Sequence, residues 1–210
     1  MIGVAVMGYG VVGSGVVELI DQNNKIFSEK IGQDIAVKHI LDVRDFPGNK
    51  YESLITKDFN DILSDPETEI VCETIGGAKV AYDFTKRCLC AGKSVVTSNK
   101  ELVATHGTEL LALAKEHGVD YMFEAAVGGG IPIIRPLINC LAANRIDKIV
   151  GILNGTTNYI LTKMIKENST FADALKEAQR LGYAEADPSA DVDGKDTCRK
   201  ICILADLAFG

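Results

Sequence analysis

The sequence predicts an α/β fold, with a doubly wound parallel sheet in its N-terminal part and a smaller α+β domain after it. Two observations carry this prediction. Short, continuously apolar runs alternate with segments of helical period as far as Glu124, and a glycine-rich turn directly follows the first run. Strands that alternate with helices form parallel sheets, and helices cover both faces of such a sheet. The strands are therefore apolar throughout rather than at every second residue.

Five apolar runs are the predicted strands. The first is Ile2–Met7, and the helical pattern behind it places Val12, Val16 and Leu19 on one face. The other strands are predicted over residues 35–41, 70–72, 94–97 and 121–123, with helices over 78–91 and 110–117 among the connections. Helical crossovers of this kind are what parallel neighbours require.

The alternation ends at Glu124, where a glycine-rich stretch leads to Pro132. We place the domain boundary there, with one domain over residues 1–132 and another over 133–210. The second domain is predicted to contain a helix over 133–143, a strand over 148–153, helices from about 157 and over 171–181, an acidic loop, and a helix from about 194. A single strand finds no partner in this stretch, so the domain is expected to be incomplete at its C-terminus.

The composition is that of an ordinary globular protein. Of 210 residues, 47% are hydrophobic and 24% are charged, and the formal net charge is −7. An acidic chain without a basic cluster is a poor partner for nucleic acid. The apolar N-terminus lacks a basic leader and is interrupted by glycines and by Glu18, so neither a signal peptide nor a membrane anchor is predicted.

Six cysteines are expected to be reduced core thiols of a cytoplasmic protein. Neither Cys88 and Cys90 nor Cys198 and Cys202 have the two-residue gap of a zinc or redox pair. No histidine lies at ligand spacing from a cysteine, and the sequence therefore predicts no zinc site.

Gly8, Gly10 and Gly13 form a G-x-G-x-x-G pattern between a predicted strand and a predicted helix. In Rossmann-type sheets the first glycine makes the turn, the second lets a pyrophosphate approach the backbone, and the third lets helix and strand pack closely. The helix N-terminus presents free N–H groups to the phosphates. A glycine-rich turn also arises by chance, but the strand before it and the βα units behind it favour a dinucleotide site.

The next predicted strand ends at Leu41 and is followed by Asp42 and Arg44, where the adenosine ribose should lie. An acid at this place favours NAD, and an arginine favours NADP. The acid also lies further from the glycines than the usual spacing of about 20 residues. The sequence therefore leaves both cofactors open.

Three polar groups are candidates for chemistry. Lys100 follows a strand at the edge where ligands bind, and would either polarise a carbonyl group or be a solvated loop lysine. Residues 154–158, NGTTN, would cap a helix or bind a polar small molecule. Asp196 and Lys200 are four residues apart in the last predicted helix and so share one face, as a catalytic pair or as an ordinary surface ion pair.

Five segments together resemble the homoserine dehydrogenase family. They are GYGVVG at 8–13, VTSNK at 96–100, EAAVGGGIPII at 124–134, GILNGTTNYIL at 151–161 and GYAEADPSADVDGKD at 182–196, and the last three are specific to that family. The resemblance implies the reversible oxidation of L-homoserine to L-aspartate 4-semialdehyde with NAD or NADP, on the route to threonine, methionine and isoleucine. It also implies a homodimer.

The resemblance assigns residues to the site. Lys200 would transfer the proton, Lys100 would polarise or relay, and Asp196 would orient Lys200. The implied cofactor residues are Gly8, Gly10, Val11, Val12, Gly13, Thr74, Ile75, Gly76, Gly77, Ser98, Asn99 and Lys100, to which the residues after the second strand add Arg44. The implied substrate residues are Gly155, Thr156, Tyr183, Glu185, Asp191, Asp196 and Lys200. A monovalent cation, usually sodium, would be bound by Glu124 and by the carbonyl oxygens of Val127, Gly129 and Ile131.

Two alternatives remain. One is another Rossmann oxidoreductase of the aspartate pathway, such as a semialdehyde dehydrogenase or a dihydrodipicolinate reductase. The semialdehyde dehydrogenase should use a catalytic cysteine, and no cysteine here has polar, activating neighbours in the sequence. The other is an inactive module that only binds the cofactor, for which Lys100, Asp196 and Lys200 would have no use.

Overall fold

A single sheet of six strands organises the first part of the chain. The computed structural model describes residues 1–210, which divide into two units, Met1–Gly130 and Ile131–Gly210. The elements of the first unit are β1 (Ile2–Met7), α1 (Val11–Ile31), β2 (Ile35–Leu41), a 3-10 turn (Glu52–Leu54), β3 (Ile55–Thr56), α2 (Phe59–Ser64), β4 (Thr68–Glu73), α3 (Lys79–Cys90), β5 (Ser94–Thr97), α4 (Lys100–His117), β6 (Tyr121–Met122) and α5 (Glu124–Val127).

The strand order is β3-β2-β1-β4-β5-β6, and every neighbouring pair is parallel. The chain moves outward from β1 to β3 and then returns to the other side of β1 with β4, so the direction of winding reverses between β1 and β4. This arrangement confirms the predicted doubly wound Rossmann-type sheet. Ligands of such sheets bind at this reversal, outside the carboxyl ends of the strands.

The central strand β1 forms the middle of the core. From Val4 to Met7 its residues are at most 1% exposed, because neighbouring strands lie on both sides and helices cover both faces. The register of β1 shifts once against β2, after Val4, and once against β4, after Gly3. As a result, Met7 lies opposite Leu41 of β2 and opposite Glu73 of β4. The carboxyl ends of three strands thus lie side by side.

Two features of the first unit differ from the prediction. The strand β3 was not predicted, since two residues are too short to form a recognisable apolar run. Helix α4 begins at Lys100, ten residues before the predicted start, because the side chain of Asn99 accepts a hydrogen bond from the N–H of Leu102 at 3.0 Å and caps the helix.

The second unit is helical. It contains a π-helical turn (Pro136–Cys140), α6 (Gly155–Glu167), α7 (Phe171–Arg180), α8 (Ser189–Val192) and α9 (Lys195–Phe209). Helices α6 and α7 pack through Ile160, Ala174 and Ala178, which are at most 2% exposed. The small alanine side chains, four residues apart, let the two helices approach closely.

The strand predicted over 148–153 is wrong. These residues have no regular secondary structure, and Val150 and Ile152 are 77% and 76% exposed. A strand is stable only beside a hydrogen-bonding neighbour, and no other segment of residues 131–210 is extended in a sheet. The helix predicted over 133–143 is also shorter than expected, with helical backbone only over 134–140.

The expectation that the cysteines are core residues is wrong for most of them. Cys88 is buried and Cys72 is partly buried, and burial raises the pKa of both thiols. Cys90, Cys140, Cys198 and Cys202 are exposed, because each lies on the outer side of its segment. Periodicity could not show this, since cysteine is compatible with either side. No helix combines the length and the apolar character that crossing a lipid bilayer would require.

The contact between α1 and the end of β1 gives a test of the fold. A Cβ atom at Gly13 would lie 1.8 Å from the carbonyl oxygen of Gly8, whereas a Cβ atom at Gly15 in the same helix meets nothing within 4 Å. We expect Gly13→Ala to lower the free energy of unfolding by about 2 kcal/mol or more through overpacking. Gly15→Ala, the matched control, should raise it by up to about 1 kcal/mol through helix propensity. Urea unfolding measures both, and equal stabilities of the two variants would contradict the close contact.

Candidate active site

The glycine-rich turn lies at the reversal point of the sheet. Gly8 has a φ angle of +94°, and a Cβ atom there would lie 2.8 Å from the carbonyl oxygen of Thr74. The N–H of Thr74 donates to Met7 O at 2.9 Å, and its hydroxyl donates to Gly8 O at 2.8 Å. The turn after β1 is therefore fixed by the residue that follows β4, and only glycine fits at positions 8 and 13.

The N-terminus of α1 is open to a ligand. Its first residue, Val11, is 93% exposed, and no side chain caps the helix at Gly10. A Cβ atom at Gly10 would meet no protein atom within 4 Å, so this glycine leaves space outside the turn instead of relieving a clash. Unpaired N–H groups and the positive end of the helix dipole at this place suit a pyrophosphate. The residues present thus fit a dinucleotide.

Asp42 and Arg44, directly after β2, form a closed ion pair. Nε of Arg44 lies 3.0 Å from Oδ1 of Asp42, and Nη2 lies 2.9 Å from Oδ2. The backbone N–H groups of Tyr9 and Arg44 donate to the same carboxylate at 2.8 and 2.9 Å. The Arg44 side chain above all holds the pKa of Asp42 far below its usual range, against the effect of burial. Asp42 is 9% exposed, while the Arg44 side chain is 58% exposed.

The segments after β4 and β5 meet at the same edge of the sheet. The side-chain amide of Asn99 donates to the carbonyl oxygens of Ile75 and Gly77, at 3.1 and 2.7 Å. Residues 74–77 and 98–99, all predicted to lie beside the cofactor, are thereby brought together next to the glycine turn. Lys100 is the first residue of α4, just after this cluster.

In the second unit, Asp196 and Lys200 form a pair on α9. Oδ2 of Asp196 lies 2.8 Å from Nζ of Lys200, and Nζ also donates to the carbonyl oxygen of Leu153 at 2.9 Å. Asp196 is 2% exposed and the Lys200 side chain 17%. This is not a solvated surface pair, because both groups are largely withdrawn from water. The spacing of four residues and the shared face are as the sequence predicts.

Asn154 belongs to the NGTTN segment that the sequence singles out, but its contacts with two acids were not predicted. Its amide nitrogen donates to Oδ1 of Asp191 at 2.7 Å and to Oδ2 of Asp196 at 2.9 Å, and its amide oxygen accepts from the N–H of Thr157 at 2.8 Å. The NGTTN motif indicated the helix cap but not the two acids, which lie 37 and 42 residues further along the chain. Asn154 connects the start of α6 to both acidic positions.

A cavity of about 640 Å³ opens beside the start of α6. Gly155 and Thr156 line it together with Tyr183, and the Thr156 hydroxyl donates to the carbonyl oxygen of Tyr183 at 2.7 Å. Three predicted substrate residues thus share one cavity, whose other lining residues are Asn158, Tyr159, Thr162 and Gly182. Glu185 follows as an exposed residue outside this lining.

The residues predicted to bind a cation lie in and after α5. Glu124 begins this helix, Val127 ends it, and Gly129 follows in the next loop. Ile131 is the first residue of the second unit. No three acidic, histidine or cysteine side chains form a metal-binding group anywhere in the chain. The predicted cation site has one carboxylate and three backbone carbonyl oxygens as ligands, so it differs from a site built from three such side chains.

Comparison with known proteins identifies the family. The profile described as "Homoserine dehydrogenase, NAD binding domain" matches residues 8–124, and the profile "Homoserine dehydrogenase" matches residues 132–210. The homoserine dehydrogenase of Bacillus subtilis (strain 168) is 47% identical over 210 residues, covering 98% of this chain and 48% of that protein.

Solved structures agree with this. A homoserine dehydrogenase from Thiobacillus denitrificans superposes with a TM-score of 0.90 at 43% identity, over 100% of this chain and 49% of that one. A hyperthermophilic archaeal homoserine dehydrogenase in complex with NADPH gives a TM-score of 0.84 at 31% identity, over 100% of this chain and 70% of that one. The chain spans about half the length of the curated relatives it matches. Its first unit contains an NAD-binding domain, and the chain belongs to the homoserine dehydrogenase family.

Proposed function

We propose that the protein catalyses the reversible oxidation of L-homoserine to L-aspartate 4-semialdehyde, with NADP as the preferred cofactor. The observation that carries this proposal is the largely buried ion pair of Asp196 and Lys200. Asn154 donates a hydrogen bond to Asp196, and all three residues lie in the part of the chain that matches the homoserine dehydrogenase profile. Cofactor binding alone does not require this buried lysine, or the two acids that the amide of Asn154 contacts.

Lys200 is the residue that moves the proton. Its ammonium group has three N–H donors, of which Asp196 and the carbonyl oxygen of Leu153 accept two. This leaves the third for the substrate oxygen. In the oxidation, neutral Nζ accepts the hydroxyl proton of the alcohol, and in the reduction the ammonium returns it to the aldehyde oxygen. Asp196 orients Nζ and stabilises its charged form after the proton has been taken up.

The substrate carries an ammonium group, a carboxylate and a distal hydroxyl. The exposed carboxylate of Glu185 suits the ammonium group, and the cavity beside Gly155, Thr156 and Tyr183 offers polar contacts for the rest. Asp191 is held at 2.7 Å by Asn154 and contributes a second negative charge. We assign Lys100 a polarising or relaying role at the end of β5.

The glycine turn of the first unit binds the pyrophosphate through Gly8, Gly10, Val11, Val12 and Gly13. When bound, the nicotinamide supplies the hydride acceptor for the oxidation. Two features support NADP over NAD. Both oxygens of Asp42 already accept hydrogen bonds and are poorly placed for ribose hydroxyl groups, while the guanidinium of Arg44 is more than half exposed and suits a 2′-phosphate.

Several further proposals rest on the family resemblance. The boundary between the nucleotide domain and the substrate domain falls at residue 132. The protein is a cytoplasmic homodimer that acts in threonine, methionine and isoleucine biosynthesis. It binds a monovalent cation such as sodium through Glu124 and through the carbonyl oxygens of Val127, Gly129 and Ile131.

The catalytic role of Lys200 is tested by Lys200→Met, made in the longest native form of the protein. We expect kcat for L-homoserine to fall by roughly 10²- to 10⁴-fold, as is typical when a proton-transfer group is removed. Cofactor affinity should not change, because Lys200 lies in the second unit. Reduced-cofactor absorbance measures kcat, and calorimetry measures cofactor binding.

Lys195→Met is the matched control for this variant. Lys195 lies on the same helix, its side chain is 62% exposed and it forms an ion pair with Asp193, so its loss should leave kcat unchanged. A Lys200→Met enzyme with wild-type kcat would contradict the assignment. A wild-type protein that binds the cofactor but does not turn over homoserine would instead support the inactive module.

The cofactor preference is tested by Arg44→Ala. We expect its affinity for NADPH to fall roughly 10- to 100-fold, the effect of losing charge-assisted hydrogen bonds to a phosphate, with a much smaller change for NADH. Fluorescence titration with each cofactor measures the two affinities, and Arg87→Ala on α3 controls for loss of one positive charge. Equal losses for NADPH and NADH would rule out a specific contact with the 2′-phosphate.

A further inference from the structure

Glu73, the last residue of β4, is a buried carboxyl group at the carboxyl end of an interior strand of the sheet. It is 0% exposed, although interior strands of this kind are otherwise apolar. Oε1 accepts the N–H of Ile75 at 2.7 Å, and Oε2 accepts the Thr97 hydroxyl at 2.5 Å. Burial raises the pKa of this carboxyl above its ordinary value, although hydrogen bonds from Thr97, from the backbone of Ile75 and from Asn99 act in the opposite direction. The proposed chemistry does not use this group.

The partners of Glu73 belong to a closed ring of hydrogen bonds. The Thr97 hydroxyl, which donates to Glu73, also accepts the N–H of Asn99 at 2.9 Å. Asn99 in turn donates from its side chain to the carbonyl oxygen of Ile75, whose N–H returns to Glu73. The ring therefore ties the loop after β4 to the loop after β5, and the carboxylate is its only ionisable member.

These two loops lie on a defined side of the proposed cofactor site. The pyrophosphate is assigned to the turn after β1, and the adenosine ribose to the end of β2. The rest of the dinucleotide must extend to the opposite side of β1, where β4 and β5 follow in the sheet. The loops at residues 74–77 and 98–99 are therefore those that face the nicotinamide half.

We propose that Glu73 is a positioning residue for the nicotinamide half of the cofactor, acting through Thr97 and Ile75 on the two loops. This inference rests on the proposed cofactor site. Both oxygens of the Glu73 carboxyl accept a hydrogen bond, whereas a glutamine of the same shape offers one acceptor oxygen and places N–H donors at the other position. A buried carboxyl is costly for folding alone, since an apolar side chain would fill this place in the strand.

The test compares Glu73→Gln, Thr97→Val and the double variant in the longest native form of the protein. We expect each single change to weaken NADPH binding roughly tenfold, the loss expected for one buried hydrogen bond. The double variant should lose little more than either single one, because both changes open the same ring. The KM for L-homoserine should remain within about twofold of the wild-type value. General destabilisation of the protein would not weaken NADPH binding while leaving this KM unchanged.

Two further variants keep the test independent of folding. Thr97→Ser retains the hydroxyl and should restore wild-type affinity for NADPH. Thr85→Val removes another buried threonine hydroxyl, in the middle of α3, whose oxygen has no hydrogen-bond partner, and it should leave the affinity unchanged. All affinities are measured by fluorescence titration well below the unfolding midpoint of each variant.

Wild-type NADPH affinity in Glu73→Gln would overturn the role of Glu73, and so would strictly additive losses in the double variant. Failure of Thr97→Ser to restore binding would do the same. If the wild-type protein bound neither NADPH nor NADH, the proposed cofactor site itself would be wrong, which is a distinguishable result.

Discussion

The structure of the first unit depends on the close contact at the end of β1. Gly13 lies so near the carbonyl oxygen of Gly8 that no side chain fits between α1 and the strand, and Thr74, directly after the neighbouring strand β4, donates a hydrogen bond to the same carbonyl oxygen. One contact thus sets the direction of α1 and the distance from β1 to the loop after β4. Both the proposed pyrophosphate position and the hydrogen-bonded ring at Glu73 are next to this contact.

The second unit uses a different device to hold charged groups. Asn154 has no charge, yet its amide contacts two carboxylates and caps α6 at the same time. Two acids so close would repel each other, and the amide donors together with Lys200 offset that repulsion. Asp196 and the carbonyl oxygen of Leu153 hold the ammonium group of Lys200 in place.

Features with a local cause could be predicted from the sequence. The apolar runs of β1, β2 and β5, the glycine turn and the Asp196–Lys200 spacing all depend on residues close together in the chain. Features that depend on distant residues were missed. The run at 148–153 is apolar but has no neighbouring strand. Asn154 contacts acids about 40 residues further along the chain. The position of Glu73 in the β4 segment does not indicate that Thr97 lies beside it. Exposure of four cysteines was missed because their residue type permits either environment.

Amide hydrogen exchange with and without NADPH tests the central claim that the open N-terminus of α1 and the tied loops after β4 and β5 hold the cofactor. NADPH should slow exchange at residues 10–14, 74–77 and 98–99, while α3, on the surface of the same unit, should be unaffected. Protection confined to other segments, or none at saturating NADPH, would contradict the account.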